Sequence, residues 1–143
     1  MNDQSFEDVA ARLSAPDSGY DYDGEAWFFL RDGVDRALEG AAGPDGEPRH
    51  VGAAEICAAL RDLALEQFGP MALLVLSQWG LFETADFGRM VSALVGEGVF
   101  SKSPGDSEKD FDGVYDFEEE FDWPFLPPAT RAELETKKAK RKK

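Results

Sequence analysis

"VFSKSPGDSEKDFDGVYDF", residues 99–117, is the stretch on which the fold turns. The helical spacing of apolar residues that precedes it stops at Gly98. Val99–Lys102 and Val114–Phe117 then read as two short strands around a polar Pro-Gly turn. Two strands behind three helices predict a mainly α fold with a small antiparallel β-hairpin (α+β) and a winged-helix-like helical core.

Working back from the hairpin, Phe87, Met90, Val91, Leu94 and Val95 recur at helical spacing. They place a helix after Thr84, whose hydroxyl is expected to cap it, with Asp86 near its positive end. "FGPMALLVLSQWG", residues 68–80, sets a Gly-Pro break before an almost wholly apolar run. Gly69 suits the end of one helix and Pro70 the start of the next. Met71 and Leu73–Leu76 cover most of that helix's circumference, so it is expected to be enclosed by its neighbours. Residues 53–68 predict the helix before it, with Ile56, Cys57, Leu60, Leu63 and Ala64 on its apolar stripe. Residues 25–39 predict another, capped by Asp23, in which Gly33 marks close helix packing because glycine otherwise costs about 1 kcal/mol there. A short helix follows Ser5, with Phe6, Val9, Ala10 and Leu13 on one face.

Beyond the hairpin, "EEEF" reads as an acidic helical turn, and "DWPFLPP" as an extended piece laying Trp123 and Phe125 onto the body. Three parts follow: a short helix and linker over 1–19, one helical core domain with its hairpin over 20–126, and a flexible basic tail over 127–143.

The charge is segregated. Residues 131–143 hold seven basic and two acidic side chains, a net of +5, whereas 1–130 hold 8 basic and 27 acidic, a net of −19. So acidic a body repels phosphate backbones and anionic membranes. The fifth helix offers Arg89 as its one base-reading side chain, beside Asp86 and Glu97, which argues against sequence-specific DNA recognition. No run approaches the roughly 20 apolar residues a membrane helix needs, and the opening "MNDQSFEDVAARLS" lacks the features of a signal peptide.

Chemistry-bearing constellations are sparse. The single cysteine, Cys57, lies on an apolar stripe and is expected to be a buried thiol, which suits a reducing cytoplasm. His50 is the sole imidazole, and neither Ser77 nor Ser92 sits in a nucleophile-elbow sequence. No glycine-rich phosphate loop and no soft-ligand set for zinc is present. Residues 108–119 place oxygen donors at calcium-loop spacing: Glu108, Asp110, Asp112, the carbonyl of Val114, Asp116 and Glu119, with Gly113 at the turn. The first ligand is Glu rather than Asp, and "SKSPGDS" cannot form the incoming helix, so an acidic solvated hairpin is the preferred reading.

Over residues 20–121 the pieces "ALEQFGPMA", "WG", "DFGRMV", "LV" and the closing "DF…YDF" resemble a family of small uncharacterised proteins restricted to planctomycetes and verrucomicrobia. Gly52–Ala53 departs from the hydroxyl cap expected there. The resemblance implies a cytoplasmic bacterial protein and assigns no catalytic or binding residue.

These readings give a non-enzymatic, acidic protein-interaction (adaptor) domain without a cofactor, whose partner is another protein met through the acidic surface or Trp123 and Phe125. One alternative is an RNA- or ribosome-associated factor anchored by Lys137, Lys138, Lys140, Arg141, Lys142 and Lys143. The other is a weak calcium binder through residues 108–119.

Overall fold

A computed structural model describes residues 3–41, 51–100 and 107–141. Seven α-helices run through these residues: α1 (Asp3–Leu13), α2 (Gly24–Ala41), α3 (Ala53–Phe68), α4 (Ala72–Gln78), α5 (Thr84–Gly96), α6 (Phe117–Phe121) and α7 (Pro128–Arg141). Short 3-10 turns occupy Gly69–Met71, Glu108–Phe111 and Trp123–Phe125.

The core forms where α2, α3 and α5 converge. Trp27, Leu30 and Val34 from α2 meet Ile56, Cys57, Leu60 and Ala64 from α3 and Phe87, Met90 and Leu94 from α5. Each fully buried Leu, Ile, Val, Phe or Met side chain among them stabilises the fold by about 1.5–3 kcal/mol. α1 belongs to this same core through Phe6, Val9, Ala10 and Leu13. Gly33 allows α2 to lie close on α3, since a Cβ there would stand 2.1 Å from Leu60 Cδ2. Gly69 ends α3 with φ of 52°, as the Gly-Pro break predicts.

The hairpin is not formed. Among the described residues there is no strand, and the winged-helix reading falls with it. Val99 and Phe100 lie in the exit from α5, Val114–Asp116 form an irregular link, and Phe117 opens α6; Lys102 lies outside the described residues. Packing explains the difference. Phe111, Phe117 and Phe121 are buried, the first from the 3-10 turn Glu108–Phe111 and the other two one turn apart on α6, so turn and helix rather than a strand carry them into the core. Phe111 is seated because Gly88 of α5 has no side chain, where a Cβ would come within 2.7 Å of Phe111 Cβ and 2.9 Å of the Glu108 carbonyl. A 3-10 turn satisfies its own backbone, so no strand partner is needed.

The apolar run of α4 is only half enclosed. Ala72 and Leu76 are buried, whereas Met71 and Leu74 lie about half exposed. The exposed positions Met71, Leu74 and Gln78 follow one another at helical spacing, so one face of this segment meets solvent while Ala72 and Leu76 face the core. "DWPFLPP" begins as a 3-10 turn rather than an extended strand, and the tail forms the exposed helix α7 through Arg141.

Candidate functional site

Gly80 builds the site's foundation. Its φ of 89° turns the chain out of α4, and a Cβ on it would stand 2.5 Å from the carbonyl oxygen of Asp21. The segment before α2 therefore crosses close over this turn, and Asp23 N donates to Trp79 O at 3.1 Å. That crossing carries Tyr22 to the first turn of α5.

Tyr22 Oη donates to Asp86 Oδ1 at 2.7 Å. Arg89 Nη1 donates to Tyr22 Oη at 2.8 Å and to Asp86 Oδ1 at 3.0 Å. The other carboxylate oxygen, Oδ2, accepts from the backbone N–H groups of Phe82, at 2.9 Å, and Glu83, at 3.1 Å. Asp86 thus does more than complement the helix dipole: it gathers the start of α5, the preceding turn and the entrance to α2. Burial, reinforced by the hydrogen bond to Asp86, pushes the Tyr22 phenol well above its ordinary range. It stays a proton donor at neutral pH, and the cluster acts as a clamp.

What the clamp holds is Phe82. Its backbone is fixed by Asp86, yet the residue is 66% exposed, the highest among the exposed large apolar residues described. The ring stands between two clefts. One, of about 380 Å³, is lined by Tyr20, Asp21, Gly80 and Arg89. The other, of about 640 Å³, is lined by Thr84, Tyr115, Asp116, Glu119, Glu120 and Lys138.

The wall of the larger cleft is built by the segment expected to be a strand. Thr84 Oγ1 donates to Phe111 O at 2.6 Å and accepts from Val114 N at 3.1 Å. Its hydroxyl therefore ties the 111–114 link to α5 and is not the helix cap the sequence suggested. Tyr115 Oη donates to Cys57 O at 2.8 Å, and burial raises that phenol's pKa. Asp116 Oδ1 caps α6 by accepting from Glu119 N at 3.2 Å. Glu119 forms an ion pair with Lys138, bringing α7 to the rim.

The positions weighed for calcium are thus distributed among local tasks. Asp110 Oδ2 accepts from Ser107 N at 2.9 Å, Asp116 caps α6, Glu119 holds Lys138, and Glu108 and Asp112 face solvent. Among the described residues no group of three or more His, Cys, Asp or Glu side chains is placed to hold a metal ion. Cys57 is buried, and desolvation pushes its thiol up to about 12. Trp123 is half-buried and Phe125 is 46% exposed. Lys137 and Lys140 are exposed and Lys138 is half-buried; His50, Lys142 and Lys143 lie outside the described residues. Arg89, the one candidate base reader, is engaged by Tyr22 and Asp86.

Sequence reasoning missed Phe82. The available signal is an aromatic residue in "GLFET", residues 80–84, between a helix-stopping glycine and the next helix start, outside any apolar stripe. Comparison with protein-family models, with curated proteins and with solved structures finds no match to this chain. No helix among the described residues is long and apolar enough to cross a membrane.

Proposed function

We propose that this chain is a protein-interaction domain whose partner docks on Phe82. The observation that carries this reading is the contrast within one residue: a backbone N–H clamped by a buried carboxylate in a residue left 66% exposed. Aromatic side chains dominate binding energy at protein interfaces, and fixing them beforehand reduces the entropy lost on association. The walls on either side carry Asp21, Glu83, Asp116, Glu119 and Glu120 against Arg89 and Lys138, an acidic frame that selects a basic partner.

The test is affinity capture from native-host lysate with the wild type, Phe82→Asp and, as a control at a separate exposed aromatic, Phe125→Asp. A protein held by the wild type and Phe125→Asp but lost with Phe82→Asp supports the reading. A set of captured proteins unchanged by Phe82→Asp overturns it.

A second reading, RNA or ribosome contact by the tail, draws support from α7, which exposes Lys137 and Lys140 on a helix that adds nothing to the buried core. Such contact is electrostatic and salt-sensitive. Ribosome co-sedimentation of the wild type and of a Lys137→Glu/Lys140→Glu variant at low and high salt separates it from docking on Phe82.

A further inference from the structure

The helix α7 is an unusual neighbour for the larger cleft. Only Leu134 and Lys138, one turn apart and so on one face, are half-buried among its described side chains; the others are exposed. Among the described residues no α7 side chain belongs to the buried core, and α7 makes no extensive contact with another element. Its holdfast is Lys138 on Glu119, at the rim of the cleft that Phe82 borders. The segment 131–143 carries +5 against −19 for the rest of the chain, so the attraction extends beyond that one pair.

We propose that the cleft beside Phe82 receives a basic, leucine-bearing helical segment of a partner protein, and that α7 occupies its rim in cis as a competitor of the same chemistry. This rests on the docking role of Phe82 proposed above. The occupant follows from charge and shape. The cleft wall presents Glu83, Asp116, Glu119 and Glu120, and the segment already at its rim supplies a lysine one turn from a leucine. A partner segment must displace that lysine before it can pair with Glu119 on the wall beside the ring. When only a fraction of molecules has an open site, apparent affinity falls by that fraction. α7 thereby sets a threshold: weak basic segments are excluded, while those that also engage Phe82 enter.

The experiment uses the full chain and a fluorescently labelled synthetic peptide with the sequence of residues 128–143, followed by anisotropy at low salt. Leu134→Ala/Lys138→Ala removes the ion pair with Glu119 and truncates the other half-buried side chain of an otherwise exposed helix, and leaves the core untouched. This variant is expected to bind the peptide at least fivefold more tightly than the wild type, and adding Phe82→Ala is expected to cancel at least fivefold of that affinity. Equal affinity for wild type and double variant, or binding by neither, overturns the competition by α7. A gain that survives Phe82→Ala overturns the siting of the peptide at the cleft. Loss of captured protein with Phe82→Asp, together with no gain in the double variant, leaves Phe82 docking standing and removes α7 alone.

Discussion

Tyr22 and Asp86, separated by 64 residues in the chain, share a buried 2.7 Å hydrogen bond that joins the entrance of α2 to the first turn of α5. A hydrogen bond to a charged group contributes about 1.5–3 kcal/mol. Tyr22→Phe is therefore expected to lower unfolding free energy by about that amount in urea titration. Asp86→Ala should cost more, because it strips an acceptor from Tyr22 and from the backbone of Phe82 and Glu83. A Tyr22→Phe protein as stable as the wild type would show the clamp to be inert.

Thr84→Val should loosen the wall of the larger cleft. The Phe111 carbonyl and the Val114 N–H both lose their partner, at about 1–3 kcal/mol for the buried carbonyl and less for the part-buried N–H. Amide hydrogen exchange should accelerate over residues 108–117 before the rest of the molecule. Uniform acceleration would mean that the segment is not an independently anchored flap.

Gly88→Ala tests the seat of Phe111. The nearest obstruction includes the Glu108 carbonyl, which is backbone and cannot rotate aside. Overpacking of this kind costs about 1–3 kcal/mol, outweighing the roughly 1 kcal/mol that alanine gains in a helix. Thermal denaturation should show a net fall in Tm; an unchanged or higher Tm would contradict the described packing.

Gly33→Ala probes the α2–α3 crossing in the same way. Its obstruction is the fully buried Leu60 side chain, so pairing it with Leu60→Ala should recover part of the loss. Additive losses in the pair would place the two residues out of contact.

Alkaline pH should destabilise the fold. Tyr22, Tyr115 and Cys57 all have folded-state pKa values raised, chiefly by burial, and so hold their protons more tightly folded than unfolded. Their stabilisation is complete below the unfolded values, about 8.5 for the thiol and about 10 for the phenols, and is lost as pH climbs above them. Unfolding free energy should fall between about pH 9 and 11, less steeply in Tyr115→Phe. Cys57 should also resist alkylation at pH 8 until urea is added, and rapid labelling of the native protein would refute its burial.

Much of the helical framework is legible in the residues themselves. The period of Ile56, Cys57, Leu60 and Ala64 marks the buried stripe of α3, and Gly69-Pro70 marks its end, because helix periodicity and terminal backbone geometry are local properties. Residues 99–117 were misread for the complementary reason. A short apolar alternation fits a strand, but whether it finds a strand partner depends on what else is nearby. Here Gly88 offers a socket for Phe111 and the Thr84 hydroxyl serves the backbone, so isolated turns win. The candidate site was less legible still, since Phe125 is as apolar in sequence as Phe82.

The sequence by itself determined that this is a helix-dominated chain with a buried thiol, an acidic body and a basic end, because propensity, periodicity and charge act over a few residues. Only the tertiary structure decided that Tyr22 would meet Asp86, that Phe82 would be held with its ring in solvent, and that Lys138 would reach Glu119. Those outcomes depend on which helices cross and how closely, a property of packed surfaces that no local window of residues contains.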